Sequence, residues 1–244
     1  MNVYGITDRG LVRKQNQDCF DCLSREDAVF GIVCDGMGGA KSGNIASQLA
    51  VDIFLEELER SADTQPVLAL NSALEIANAQ VHQRSRTDPD CNGMGTTLVA
   101  AWVQQDLHGY VLNVGDSRAY HVSQHGIHQI TRDHSLVADL VARGKITPEA
   151  ARTHPNKNII TRALGTDRHT DGDMFEVDLE SGDYILLCSD GLSNLVTDQE
   201  MLYEVLYGGM DSTCCRRLLE IALQRGAQDN VTAVLICTGE EETE

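Results

Sequence analysis

Apolar residues along the chain keep two rhythms. Short β-branched runs at Val29–Cys34, Tyr110–Val114, Tyr184–Cys188 and Val231–Cys237 are too brief for helices and read as buried strands. Asn2–Asp8 alternates weakly, as an outer strand does, and Gly95–Val103 and Arg118–Val122 add two more. The last follows Tyr110–Val114 across Gly115-Asp116-Ser117, which reads as a hairpin turn. Between Ser42 and Arg60 the period becomes helical. Ile45, Leu49, Ile53, Phe54 and Leu58 share a face, with Glu56, Glu57 and Glu59 largely away from it. A second helix starts near Pro66 with the stripe Val67, Leu70, Leu74, Ala77 and Val81. Both stripes read as core.

Helix starts are marked further on. Asp133-His134-Ser135 caps Leu136–Arg143, Thr147-Pro148-Glu149 puts proline in a first turn, and Thr197-Asp198-Gln199-Glu200 fits a capping box for a helix through Tyr207. Leu218, Leu219 and Ala222 mark one more. The polar, unpatterned stretch Asn156–Gly165 reads as a mobile loop, and residues 240–244 as an acidic tail. Long strand runs between helix pairs favour an α+β fold, antiparallel sheets with helices packed outside, over repeating βαβ units. With no repeat and no linker, residues 1–239 read as one domain.

Composition narrows the function. A charge of −18 over 244 residues disfavours nucleic acid and anionic lipid as partners. No run reaches the roughly 18 apolar residues of a membrane span, and the start lacks a basic-then-apolar signal, so a cytoplasmic protein is expected. Of eight cysteines, Cys34, Cys188 and Cys237 lie in or beside apolar strands as core residues. Cys19-x-x-Cys22 lacks a second pair at zinc spacing, and His121, His125 and His128 read as solvated.

Part of the acidity is organised. Asp35, Asp116 and Asp190 each follow a strand, and Asp229 precedes one; Gly36, Gly38 and Gly39 let backbone come close to whatever Asp35 holds. Separate turns would explain any one of these, but not their recurrence. Oxygen-only ligands suit hard cations such as Mg²⁺ or Mn²⁺. Two such ions about 3.5–4 Å apart neutralise a phosphate and lower the pKa of a shared water. Arg13 suits bidentate contact with a phosphate, though its spacing from Asp18 taken alone favours a surface ion pair. Neither G-x-S-x-G nor G-x-x-x-x-G-K occurs.

Thr7-Asp8-Arg9-Gly10, Arg13-x-x-Asn16-x-Asp18, Val33-Cys34-Asp35-Gly36-Met37-Gly38-Gly39 and Gly95-Thr96-Thr97 occur in order. They are followed by Asn113-Val114-Gly115-Asp116-Ser117-Arg118, Ile159–Gly165, Ser189-Asp190-Gly191 and Asp229-Asn230-Val231-Thr232. Together they resemble the protein phosphatase 2C (PPM) family, most closely its small single-domain bacterial members. The resemblance implies a four-layer α-β-β-α sandwich and hydrolysis of phosphoserine and phosphothreonine in proteins by water activated at a two-ion centre. It implies that Asp35 bridges two Mn²⁺ or Mg²⁺ ions, with the Gly36 carbonyl on one and Asp190 and Asp229 completing the other. Asp18 acts through waters, Asp116 with Asp190 holds the third ion of bacterial members, and Arg13 holds the substrate phosphate. Residues 145–164 form a flap, and a cognate Ser/Thr kinase and a monomeric state are expected. Met37 stands where many eukaryotic members carry histidine, and a thioether cannot protonate the leaving group. A binding module that has lost catalysis and a small-molecule phosphatase are the competing readings; intact aspartates favour the enzyme. Cys34 and Cys188 adjoin metal-site aspartates, so their oxidation would distort the site, against which stands the reading as inert core thiols.

Overall fold

The computed structural model describes residues 1–38, 42–61 and 65–239. Gly39 and the acidic tail at 240–244 lie outside the described residues. Two antiparallel sheets form the centre. One runs β1 (Asn2–Asp8), β11 (Val231–Cys237), β10 (Tyr184–Cys188), β7 (Arg118–Ser123), β8 (Gly126–Gln129). The other runs β2 (Asp18–Ser24), β3 (Ala28–Met37), β5 (Leu98–Gln104), β6 (His108–Val114), β9 (Asp173–Asp178), with short β4 (Gly95–Thr96) pairing the far end of β3.

Between the sheets lie Val29, Val33, Val99 and Val111 with Ile185, Leu187, Val234 and Ile236. Outside the second sheet, α1 (Gly43–Arg60) and α2 (Pro66–Thr87) bury Phe54, Leu58, Leu70 and Leu74 with Phe30, Ile32 and Trp102. Outside the first, α6 (Asp198–Tyr207) and α7 (Asp211–Gln224) bury Met201, Val205, Leu218 and Ala222 with Leu186 and Leu235. The central strands are therefore apolar on both faces, which is why they read as unbroken runs. Each fully buried Leu or Phe contributes about 1.5–3 kcal/mol, and truncating Phe54 to alanine would cost about 3–5 kcal/mol. Short helices α3 (Leu136–Ala142), α4 (Pro148–Arg152) and α5 (Asp190–Ser193) sit in the connections. Among the described residues no helix is long and apolar enough to cross a membrane.

Several expectations need correcting. Gly115-Asp116-Ser117 is no hairpin turn: β6 pairs with β5 and β9, whereas β7 pairs with β10 and β8, so the turn crosses from one sheet to the other. The deepest face of α1 is Ala46, Ala50, Val51, Phe54 and Leu58, while Ile45, Leu49 and Ile53 are half-buried. Small residues carry that face, and a pattern weighted by bulk misses them. Strands β2, β8 and β9 were not expected. All three are sheet edges, where one side is solvated and polar residues interrupt the alternation. Cys19 and Cys22 stand on β2 three residues apart, hence on opposite faces. His121 is not simply solvated, because its Nε2 lies 2.8 Å from Asp183 Oδ2. The stretch Asn156–Gly165 is tied rather than free: Ile160 bridges to Ser135 and Leu164 to Thr96, and the Thr161 amide donates to the His134 carbonyl (2.8 Å). Expected caps do form: Ser135 and Thr147 each accept an amide, and Thr197 with Glu200 makes the capping box.

Candidate active site

Strand β3 does not stop at Cys34 but carries Asp35, Gly36 and Met37 within it. Thr97, in the gap between β4 and β5, is the reason. The Asp35 amide donates to Thr97 Oγ1 (2.9 Å), and the Thr97 amide and Thr96 hydroxyl both donate to the Asp35 carbonyl (2.9 Å each). Backbone held this way leaves the Asp35 carboxylate free for a ligand. Gly36 is required by space, since an ideal Cβ there would sit 2.0 Å from the Gly43 carbonyl oxygen. In the turn carrying Asp116, Gly115 has φ +110, and a Cβ on it would meet Thr97 Cγ2 at 2.6 Å. That turn is held from behind by His134, whose Nδ1 accepts from the Gly115 amide (3.1 Å).

Asp190 opens α5, and Gly191 behind it lets this first turn press on the 229–230 backbone: a Cβ there would lie 1.8 Å from the Asn230 carbonyl oxygen. The Asn230 side chain is a staple. Its Oδ1 accepts from the Gln17 amide (2.8 Å), and its Nδ2 donates to the carbonyls of Arg9 (2.9 Å) and Gln15 (3.0 Å). The loop so fixed presents Arg13, whose Nη2 donates to Asp229 Oδ2 at 2.8 Å. The guanidinium thus pairs with Asp229, not with Asp18 as their spacing allowed.

Arg13, Asp35, Gly36, Asp116, Asp190 and Asp229 all line one cavity of about 570 Å³. Asp18 is the exception. It faces Asp35 across the β2–β3 ladder and is buried, 7% exposed. Its Oδ2 accepts from the hydroxyls of Ser189 and Thr232, 2.7 Å each. Thr232 in turn lies 2.7 Å from the Thr7 hydroxyl, and Thr7 accepts from Asn16 Nδ2 at 2.8 Å. With Thr232 donating to Asp18, the Thr7 proton must point to Thr232, so the relay has one direction.

Electrostatically this is a site that repels itself. Burial, then the charges of Asp18, Asp190, Asp116 and Asp229, pushes Asp35 well above the usual carboxylate range. Burial chiefly, with Asp190 adding, pushes Asp18 and Asp116 to about 7, and burial followed by Asp229 raises Asp190. Asp18 Oδ1 and Asp190 Oδ1 are buried without a hydrogen-bond partner. Buried acceptors without donors, all oxygen, fit divalent hard cations. Among the described residues no three imidazole, thiol or carboxylate groups enclose a cation by themselves. Magnesium-like ions need no such cage, because each takes one or two carboxylates and keeps several waters. The residues present fit the group.

The sequence reading gave Thr97, Ser189, Asn230 and Thr232 no role, although all sit in the motifs quoted. For three of them the signal is adjacency: Ser189 and Asn230 adjoin a cavity aspartate, and Thr232 lies in the strand that follows Asp229. Thr97 carries no such signal, because only the folding of the chain brings it to Asp35, 62 residues away. Cys34 and Cys188 are core thiols, held protonated by burial, Cys188 pushed up to about 12 and Cys34 well above its ordinary value.

A four-layer sandwich whose sheets present an acidic, all-oxygen cavity with one arginine defines a metal-dependent hydrolase of anionic esters. The model of the family described as protein phosphatase 2C matches residues 12–238. A serine/threonine phosphatase, stp, of Listeria monocytogenes is 38% identical over 236 residues, 94% of this chain and 93% of the relative. A crystallised bacterial serine phosphatase superposes with a TM-score of 0.91 at 36% identity over the whole of both chains. The catalytic domain of the serine/threonine protein phosphatase PstP, solved in complex with two manganese ions, gives 0.81 at 33% identity over 96% of each chain. The chain belongs to the protein phosphatase 2C family. It is a metal-dependent protein serine/threonine phosphatase, and its substrates are phosphoproteins.

Proposed function

We propose that the cavity hydrolyses phosphoserine and phosphothreonine at two Mn²⁺ or Mg²⁺ ions, with room for a third. Asp35 would bridge the pair, the Gly36 carbonyl would add to one ion, and Asp190 and Asp229 to the other. Asp18 would act through waters, and Asp116 with Asp190 would take the third ion. When bound, the cations neutralise phosphate charge and lower the pKa of water to within reach of neutral pH.

The chain's own residues supply the rest. Thr97 fixes the Asp35 backbone, so the carboxylate needs no reorganisation at the moment of reaction. The hydroxyls of Ser189 and Thr232 keep Asp18 a pure acceptor, its remaining oxygen facing no donor of the protein. Arg13 orients the phosphate; its partner Asp229 holds the guanidinium at the cavity wall until substrate arrives. Met37 lines the cavity and offers no proton. The observation that carries this reading is the buried, unpartnered Oδ1 of Asp190 in a cavity with one guanidinium, together with that of Asp18, which faces Asp35 across the β2–β3 ladder.

Residues 1–239 act in this reading as one catalytic domain with a flap at 145–164, a cytoplasmic monomer opposing a cognate serine/threonine kinase. The test is hydrolysis of a phosphothreonine peptide with Mn²⁺, Mg²⁺ or EDTA, for the parent and Asp35→Asn. Turnover should need both the metal and Asp35. Turnover in EDTA, or an undiminished Asp35→Asn, would overturn the assignment.

A further inference from the structure

Seven large apolar side chains are strongly exposed among the described residues, and three of them belong to the two segments that line the catalytic cavity, as lining residues or their immediate neighbours in sequence. Leu11 is 63% exposed and Val12 65%, immediately before the phosphate-orienting Arg13; Ile159 is 48% exposed. Val12 and Ile160 line the cavity itself. A surface carrying a charge of −18 has many polar residues to place there, so exposed aliphatic side chains in both cavity-lining segments need a reason.

These side chains do not hang on slack backbone. The Leu11 amide donates to the Ala227 carbonyl at 2.9 Å, and Asn230 staples the loop on both sides of Val12 through Arg9 and Gln15. From the other segment, the Ile159 carbonyl accepts from the Leu136 amide at 2.8 Å, and Ile160 bridges to Ser135. Aliphatic groups on backbone already ordered bind without a large entropic cost. Charge indicates what they bind. Arg13 and Lys14 line the same cavity, and Lys157, two residues before Ile159, acts on Asp190. An anionic group drawn in by those cations would bring its neighbouring residues against the aliphatic rim.

We propose that Leu11, Val12, Ile159 and Ile160 form a specificity rim that takes up an aliphatic side chain next to the phosphorylated residue of a protein substrate. The inference rests on the phosphatase reading above. It makes the enzyme selective among phosphosites by their flanking residues, while Arg13 and the aspartates treat every phosphate alike.

The experiment compares two phosphothreonine peptides, one flanked by valine on both sides and one by serine, with Mn²⁺ supplied. The parent is expected to favour the valine peptide in kcat/KM by about tenfold, the scale on which an apolar contact discriminates. Val12→Ser and Ile159→Ser should each reduce that ratio several-fold. Both sites are exposed, so a thermal melt should show the fold intact. A parent with no preference, or variants that keep it in full, would overturn the rim. If Val12→Ser instead changes the molecular mass by light scattering and leaves the ratio alone, the rim is a contact between copies and the substrate assignment is wrong. Failure to hydrolyse either peptide with metal present would overturn the phosphatase reading itself.

Discussion

Stripped of cations, the protein should be more stable in mild acid than in mild base, the reverse of ordinary acid denaturation. Asp18 and Asp116 hold their protons up to about 7 in the folded state, against an ordinary 3.8, burial being the larger cause in both. Folding therefore binds protons that the unfolded chain has released. The stabilisation is complete below about pH 4 and is lost as pH rises through about 7. For one such group the difference between about pH 8 and about pH 5 is roughly 2.5 kcal/mol. At a urea slope of about 2–3 kcal/mol/M, that raises the unfolding midpoint by about 1 M. The assay is urea unfolding of EDTA-treated protein at the two pH values, repeated with Mn²⁺. At about pH 8, Mn²⁺ at a hundred times its Kd should restore about 2.7 kcal/mol. Asp18→Asn should flatten the metal-free pH response and weaken the rescue by Mn²⁺. A metal-free parent whose midpoint is the same at both pH values, or lower in acid, would show that the buried carboxylates do not repel one another as described.

Gly191→Ala places a Cβ 1.8 Å from a backbone oxygen that cannot swing away, so a loss of about 1–3 kcal/mol in stability and more than tenfold in kcat/KM is expected, read by melting and kinetics. Thr232→Val keeps the volume but removes a donor to Asp18; metal affinity, measured by Mn²⁺ titration of activity, should fall about 10–100-fold. Arg13→Lys should raise KM for a phosphopeptide about tenfold with a smaller effect on kcat, since an ammonium cannot make the forked contact; a change in kcat alone would place Arg13 elsewhere in the reaction. Because Cys34 and Cys188 stay protonated and buried, millimolar peroxide should leave activity as intact in the parent as in Cys34→Ser.

How far the sequence carried depended on which physical term dominated locally. Strands β3, β6, β10 and β11 were legible because burial on both faces leaves no alternative to an apolar run. Edge strands β2, β8 and β9 were not, since one solvated side dilutes the pattern. The aspartates could be picked out by their place at strand ends, yet nothing local in Tyr110–Val122 says that the chain changes sheets at Asp116. That crossing depends on which strands find each other at long range. Similarly, spacing alone favoured pairing Arg13 with Asp18. Only the staple from Asn230, more than two hundred residues away, turns it toward Asp229.

Strand β1 pairs with β11 from Asn2↔Cys237 to Asp8↔Val231. Thr7 meets Thr232, and Arg13 meets Asp229, across that same seam. During synthesis the first of these partners emerges long before the last. A nascent chain therefore has an Asp18 without its Thr232 donor and an arginine without its anchor until the segment 229–232 has left the ribosome. Catalytic competence is thereby a late event in the protein's life, and a premature stop before Val231 would yield no partly active enzyme.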